Sequence, residues 1–83
     1  MPRIIDTPNK NIVGKRIRTL RIEKKMSQQE LSVKLETMAI YICRGSISRI
    51  EDQSRTITDI ELYGLANVLE VSIEDLFSEV DNI

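Results

Sequence analysis

The segment from residue 27 to residue 51 limits the possible folds most, because it predicts a helix, a turn and a second helix. Ser27 and Glu30 have the spacing of a capping box, in which each side chain bonds the backbone amide of the other residue at a helix start. Leu31 and Leu35 follow four residues apart, which places both on one face of that helix. The segment therefore predicts two short helices, each with one buried side.

The link between these two helices is short, apolar and β-branched at residues 40–42, a composition typical of extended backbone. We expect the preceding helix to end near Met38. The next helix should begin between Cys43 and Ser46 and end near Asp52.

Three further helices are indicated by periodicity and caps. The first could start as early as Pro8 and should stop near Lys25. Thr58 and Glu61 have the spacing of a second capping box, and Ser72 resembles a third cap, followed by acids in the first turn. No strand pattern or repeat is present, so we predict an all-α chain of five short helices.

Charge is divided between two parts of the chain. All twelve Lys and Arg, with six of the thirteen Asp and Glu, lie at or before Arg55, which gives residues 1–55 a net charge of +6. Residues 56–83 contain the other seven acids and no base, a net charge of −7. Because a basic face attracts phosphate, this division indicates a nucleic-acid partner for the first part.

The composition also argues against several classes of protein. The 83 residues contain one Cys and no His, so an internal disulfide is impossible and a zinc site is disfavoured. No glycine-rich phosphate loop and no nucleophile with a nearby base is apparent, which argues against an enzyme and against a cofactor. The single thiol fits a reducing cytoplasm. No apolar run approaches the roughly 20 residues that cross a bilayer.

Six short motifs follow one another in a fixed order. They are Val13-Gly14-Lys15-Arg16-Ile17-Arg18, Leu20-Arg21, Met26-Ser27-Gln28-Gln29-Glu30-Leu31, Ile47-Ser48-Arg49-Ile50-Glu51, Leu65-Ala66 with Leu69, and Val71-Ser72 with Leu76-Phe77. In this order they resemble the Cro/C1-type (Xre) helix-turn-helix family of phage repressors and bacterial regulators, over residues 11–78. The resemblance implies a five-helix, lambda-repressor-like DNA-binding domain over residues 11–83, after a flexible N-terminal arm over residues 1–10.

The turn departs from the common family pattern. The step from Leu31 to Ile47 is longer than usual, and the extra residues fall between Glu36 and Ile42. This stretch resembles a longer-turn variant of the family, and it leaves the start of the third helix open.

The resemblance implies that the third helix enters the major groove of double-stranded DNA. Arg44 and Arg49 are the candidates for base reading, because a guanidinium can donate two parallel hydrogen bonds to guanine O6 and N7. The alternative for both is contact with phosphate alone, which carries no sequence information. The predicted DNA-binding residues are Gln28, Arg44, Gly45, Ser46, Ser48, Arg49, Arg55 and Thr56.

Other residues have more structural interpretations. The resemblance implies an ion pair between Arg21 and Glu51 that joins the first helix to the third. We expect Tyr41 and Tyr63 to pack in the core or at its edge rather than to stack on bases. Cys43 is expected to be a small residue at a helix cap rather than a redox switch.

The last helix suggests self-association. Its apolar residues recur at helical spacing through Val80 and Ile83, and these two could contact another subunit. Helix-turn-helix proteins usually bind as dimers to half-sites about 34 Å apart. We therefore predict a homodimer.

Together these features predict a sequence-specific transcriptional regulator of double-stranded DNA, a repressor that binds a palindromic operator as a dimer. The alternative is a protein-interaction module, antitoxin-like or anti-repressor-like, that uses the acidic C-terminal helices. Loss of DNA binding even at very low salt would favour this alternative.

Overall fold

The computed structural model describes residues 8–78, which form five helices and no strand. The helices are α1 (Gly14–Glu23), α2 (Gln28–Glu36), α3 (Arg44–Glu51), α4 (Asp59–Val68) and α5 (Ile73–Phe77). The predicted all-α, five-helix architecture is confirmed. Within the described range, no helix has the length and apolar character needed to span a bilayer.

The helix starts match the predicted caps. The Ser27 hydroxyl accepts from the Glu30 amide at 3.0 Å, and the Glu30 carboxylate accepts from the Ser27 amide at 3.0 Å. Thr58 and Glu61 form the same reciprocal pair at 3.2 and 3.0 Å, and the Ser72 hydroxyl accepts from the amide three residues on. These starts could be read from sequence because each depends on residues only three positions apart.

Four helix ends have a left-handed residue that is not glycine. At the end of α2 the Ala39 amide donates to the Glu36 carbonyl and the Ile40 amide donates to the Leu35 carbonyl, which is the Schellman pattern. Helix α2 ends at Glu36, two residues before the predicted end near Met38, and the chain reverses direction at Ala39. The left-handed residues, with φ between 56° and 68°, are Lys25, Ala39, Gln53 and Glu70.

The start of α1 differs from the prediction. The helix begins at Gly14, so a start as early as Pro8 is wrong. Asn11 accounts for the difference, because its Oδ1 accepts from the Gly14 amide at 2.8 Å while its Nδ2 donates to the carbonyls of Ile50 and Arg55. This segment is bonded to the end of α3 rather than coiled into α1.

The end of α5 lies near the limit of the described residues. The helix ends at Phe77, and Ser78 has extended backbone, with φ −70° and ψ 151°. Val80 and Ile83 lie outside the described residues, as do residues 1–7 of the predicted arm.

One core unites the helices, with α3 packed between α1 and α2, and α4 against α2. Two glycines permit close approach: a β-carbon on Gly14 would collide with the Ile50 carbonyl, and one on Gly64 would collide with Ile40. The core residues are Val13, Ile17, Leu20, Met26, Leu31, Leu35, Ile40, Ile42, Ile47, Ile50, Leu65, Ala66, Leu69 and Leu76.

Candidate nucleic-acid interface

Helix α3 has one buried face and one exposed face. Ile47 and Ile50 are fully buried, whereas Arg44, Ser48 and Arg49 are exposed. The helix is therefore anchored from behind while both of its arginines extend into solvent.

The first turn of α3 contains a small polar cluster. Arg49 Nη2 donates to Ser46 Oγ at 3.2 Å, and the Cys43 sulfur lies 3.4 Å from the same hydroxyl. Hydrogen bonding from Ser46, its side chain first and then its backbone, holds the pKa of the Cys43 thiol below its usual value. Arg44 makes no hydrogen bond or ion pair with any residue in the described range. Both arginines thus retain donors for an external acceptor.

Gly45 lies in the same turn and is exposed. A β-carbon there would meet only Arg49 Nη1, at 3.9 Å, and the backbone φ is not positive. Among the described residues, nothing near Gly45 requires a glycine. The space above this turn is open to another molecule.

A buried polar network fixes the orientation of α3. Arg21 Nε and Nη2 donate to the two carboxylate oxygens of Glu51 at 2.6 and 3.0 Å, and Arg21 Nη1 donates to the Met26 carbonyl at 2.8 Å. The hydrogen bond with Glu51 raises the pKa of Arg21. Glu51 is 5% exposed, so this pair holds α1 against the end of α3 at a shielded position. The predicted structural ion pair is confirmed.

Gln28 joins the same network. Its Nε2 donates to Glu51 Oε1 at 3.0 Å, and the residue is half-buried at the start of α2. The sequence suggested a phosphate contact but gave no sign of this inward bond. One amide hydrogen of the side chain remains for a phosphate, so that role stays a prediction.

Arg55 has a partner that sequence reasoning missed. Its guanidinium donates to both oxygens of Glu61 at 3.0 and 2.8 Å and to the Thr56 carbonyl at 2.9 Å. The hydrogen bond from Arg55 lowers the pKa of Glu61. Residues six apart across a helix start have no periodic signature, so the pair could not be read from spacing. The guanidinium is therefore held on α4, and Thr56 is exposed beside it.

The two tyrosines lie at the surface. Tyr41 is 77% exposed and Tyr63 is 57% exposed, so the expectation that both would pack in the core or at its edge is wrong. Side chains alternate between inward and outward along the link from α2 to α3, so Ile40 and Ile42 lie in the core and Tyr41 faces outward. Tyr63 is on the outer side of α4.

The predicted site residues are not all brought together. Five of them share α3, Gln28 contacts the end of that helix through Glu51, and Arg55 is turned onto α4. Among residues 8–78, no cluster of three or more side chains that ligate metals is present.

Comparisons with known proteins agree with this geometry. A family model described as helix-turn-helix matches residues 17–76. The solved structure of the restriction-modification controller protein C.AhdI from Aeromonas hydrophila has a TM-score of 0.69 and 26% sequence identity, and the alignment covers 78% of this chain and 87% of that one. No curated protein matches.

The family match extends over most of the chain and includes α2, the turn, α3 and α4. It supports a DNA-binding transcriptional regulator. The chain belongs to the Cro/C1-type helix-turn-helix family.

Proposed function

We propose that this protein is a sequence-specific transcriptional repressor that binds a palindromic operator in double-stranded DNA as a homodimer. The observation that carries the proposal is the exposed face of α3, where Arg44 and Arg49 extend from a helix whose other face is buried. The likeness to a controller protein supports a regulatory role.

The anchoring of α3 by its buried face and by the Arg21–Glu51 pair favours base reading by its arginines. Side chains on a well-anchored helix can be held in one geometry, and a guanidinium that meets O6 and N7 of guanine discriminates by about 1–3 kcal/mol against other bases. Ser46 already orients Arg49 through a hydrogen bond. Arg55, by contrast, would have to leave Glu61 to contact DNA, so we assign it a secondary role.

The experiment that tests the proposal is selection from a random pool of double-stranded DNA. Binding of the winner and of a scrambled duplex would then be measured at two salt concentrations. We expect a palindromic winner bound on the order of 10³-fold more tightly than the scrambled duplex. Absence of enrichment, with uniform salt-sensitive binding or none, would contradict the proposal and favour the protein-interaction alternative.

Arginine variants separate base reading from phosphate contact. Arg49→Lys keeps the charge but loses the planar pair of donors, so it should reduce the preference for the selected duplex while nonspecific binding persists. Lys24→Ala is the control, because Lys24 pairs with Glu70 at 3.4 Å between α1 and the end of α4. Equal weakening of all duplexes by Arg49→Ala would show that Arg49 contacts phosphate only.

The proposed dimer has a candidate surface on α4 and α5. Ile60 is 66% exposed on α4, and Ile73 and Phe77 are 42% and 43% exposed on α5. Contiguous exposed apolar patches mark interaction surfaces, and α4 and α5 pack against each other, so we assign the proposed dimer contact to these residues.

Sedimentation equilibrium with a matched pair of variants tests the dimer. Ile60→Asp should shift the protein toward monomer and weaken operator binding. Ile22→Asp, at a 49% exposed site on α1, should leave self-association unchanged. A monomeric mass for the unaltered protein at high concentration, both alone and on DNA, would refute the dimer.

A further inference from the structure

Tyr41 is the most exposed large hydrophobic side chain in the described range, at 77%. It lies in the link between α2 and α3, two residues before Cys43, which caps α3. Its neighbours are both buried, Ile40 at 8% and Ile42 at 2%. A large aromatic group is thus displayed at the surface between two anchored residues.

The backbone that carries Tyr41 is held on both sides. On one side the Ile40 amide donates to the Leu35 carbonyl at 3.1 Å. On the other side the Ser32 hydroxyl donates to the Ile42 carbonyl at 2.6 Å. Because successive side chains of extended backbone point to opposite faces, fixing Ile40 and Ile42 inward forces Tyr41 outward. Because this backbone is already ordered in the free protein, binding through the Tyr41 ring would cost little additional backbone entropy.

Tyr41 shares an open groove with the first turn of α3. The groove is lined by Ser32, Glu36, Tyr41, Ile42, Cys43 and Ser46. Ser46 is the residue that accepts from Arg49, so the groove begins beside the proposed base-reading face.

We propose that Tyr41 is a further DNA-contacting residue, whose phenolic hydroxyl donates a hydrogen bond to a phosphate oxygen beside the base pairs that α3 contacts. The proposal rests on the proposed function, because it requires α3 to bind DNA. Tyrosine hydroxyls are among the groups that position proteins on the phosphate backbone. The open backbone amides at the start of α3 attract an anion to the same end of the helix. Glu36 adds one negative charge to the groove, so the phosphate approaches from the Ser46 side.

The test uses two variants that each remove one oxygen atom. Tyr41→Phe should weaken binding of the selected duplex about tenfold, as expected for loss of a hydrogen bond to a charged group. Tyr63→Phe removes the same atom from the exposed face of α4 and should bind like the unaltered protein. Both variants should keep the melting temperature, since both rings are mostly exposed.

A spectroscopic measurement accompanies the affinities. The chain contains no Trp and two Tyr, so protein labelled with 3-fluorotyrosine gives two ¹⁹F signals that the two Phe variants assign. The Tyr41 signal should shift when the selected duplex is added. An unshifted Tyr41 signal, or a Tyr41→Phe variant that binds as tightly as the unaltered protein, would overturn this inference and leave the proposed function intact. Failure of the unaltered protein to select any duplex would instead overturn the proposed function.

Discussion

A single methyl group at Gly45 should raise the stability of the protein and reduce its affinity for DNA. In the folded protein the added β-carbon would contact only Arg49 Nη1, at 3.9 Å, which is an ordinary van der Waals distance. The backbone there is helical and has no positive φ, so alanine fits without strain. Replacing glycine by alanine at such a site restricts the unfolded chain and stabilises the fold by about 0.4–1 kcal/mol.

For a domain of this size, that free energy corresponds to an increase of roughly 2–8 °C in the melting temperature. Affinity should change in the opposite direction, because the methyl group occupies the open space above the first turn of α3, where the proposed complex brings DNA close. We expect weakening of the selected duplex by on the order of tenfold, the equivalent of about 1.4 kcal/mol.

Thermal unfolding by circular dichroism and equilibrium binding by fluorescence anisotropy, on the same preparation, measure both effects. Thr19→Ala is a suitable comparison, because it alters an exposed helical residue of α1 that is not among the predicted DNA-binding residues. A lower melting temperature for Gly45→Ala would refute the inference that alanine fits at position 45 without strain. A higher melting temperature with unchanged affinity would refute the placement of this turn against DNA.

Three other changes test the fold. Ala39→Gly should stabilise the protein by about 1 kcal/mol in urea unfolding, because glycine relieves the left-handed backbone at φ 60° and the alanine side chain is exposed. Unchanged or reduced stability would contradict this. Glu51→Ala should cost about 3 kcal/mol, because it leaves the guanidinium of Arg21 buried without its carboxylate, and an unchanged urea midpoint would show that the pair does not hold α1 to α3. Glu61→Gln should cost about 1 kcal/mol at pH 7, since Arg55 holds the folded-state pKa of Glu61 below its ordinary value of 4.5. That difference is fully present above pH 4.5 and should fade as the pH falls through the lower folded-state pKa, so a difference that persists under acid conditions would exclude the ion pair as its source.

Local chemistry made the helix starts and the helix-turn-helix predictable. A cap such as Ser27 with Glu30 requires only two side chains three residues apart, and the apolar spacing of α2 and α3 identifies their buried faces. The exposed arginines of α3 follow from the same periodicity. These features depend on short stretches of chain, so the order of residues is sufficient to identify them.

The tertiary structure determined where the chain leaves those helices and which polar groups meet. Asn11 bonds carbonyls at the end of α3, about 40 residues away in sequence, and this sets the start of α1. Ala39 has the left-handed conformation usually given to glycine, so no glycine marked the end of α2, and the predicted end near Met38 lies two residues beyond Glu36. Arg55 meets Glu61, and Gln28 turns inward to Glu51, because packing brings the groups within 3 Å. Such contacts depend on the whole fold, since a hydrogen bond is gained only where two distant segments are held at the right separation.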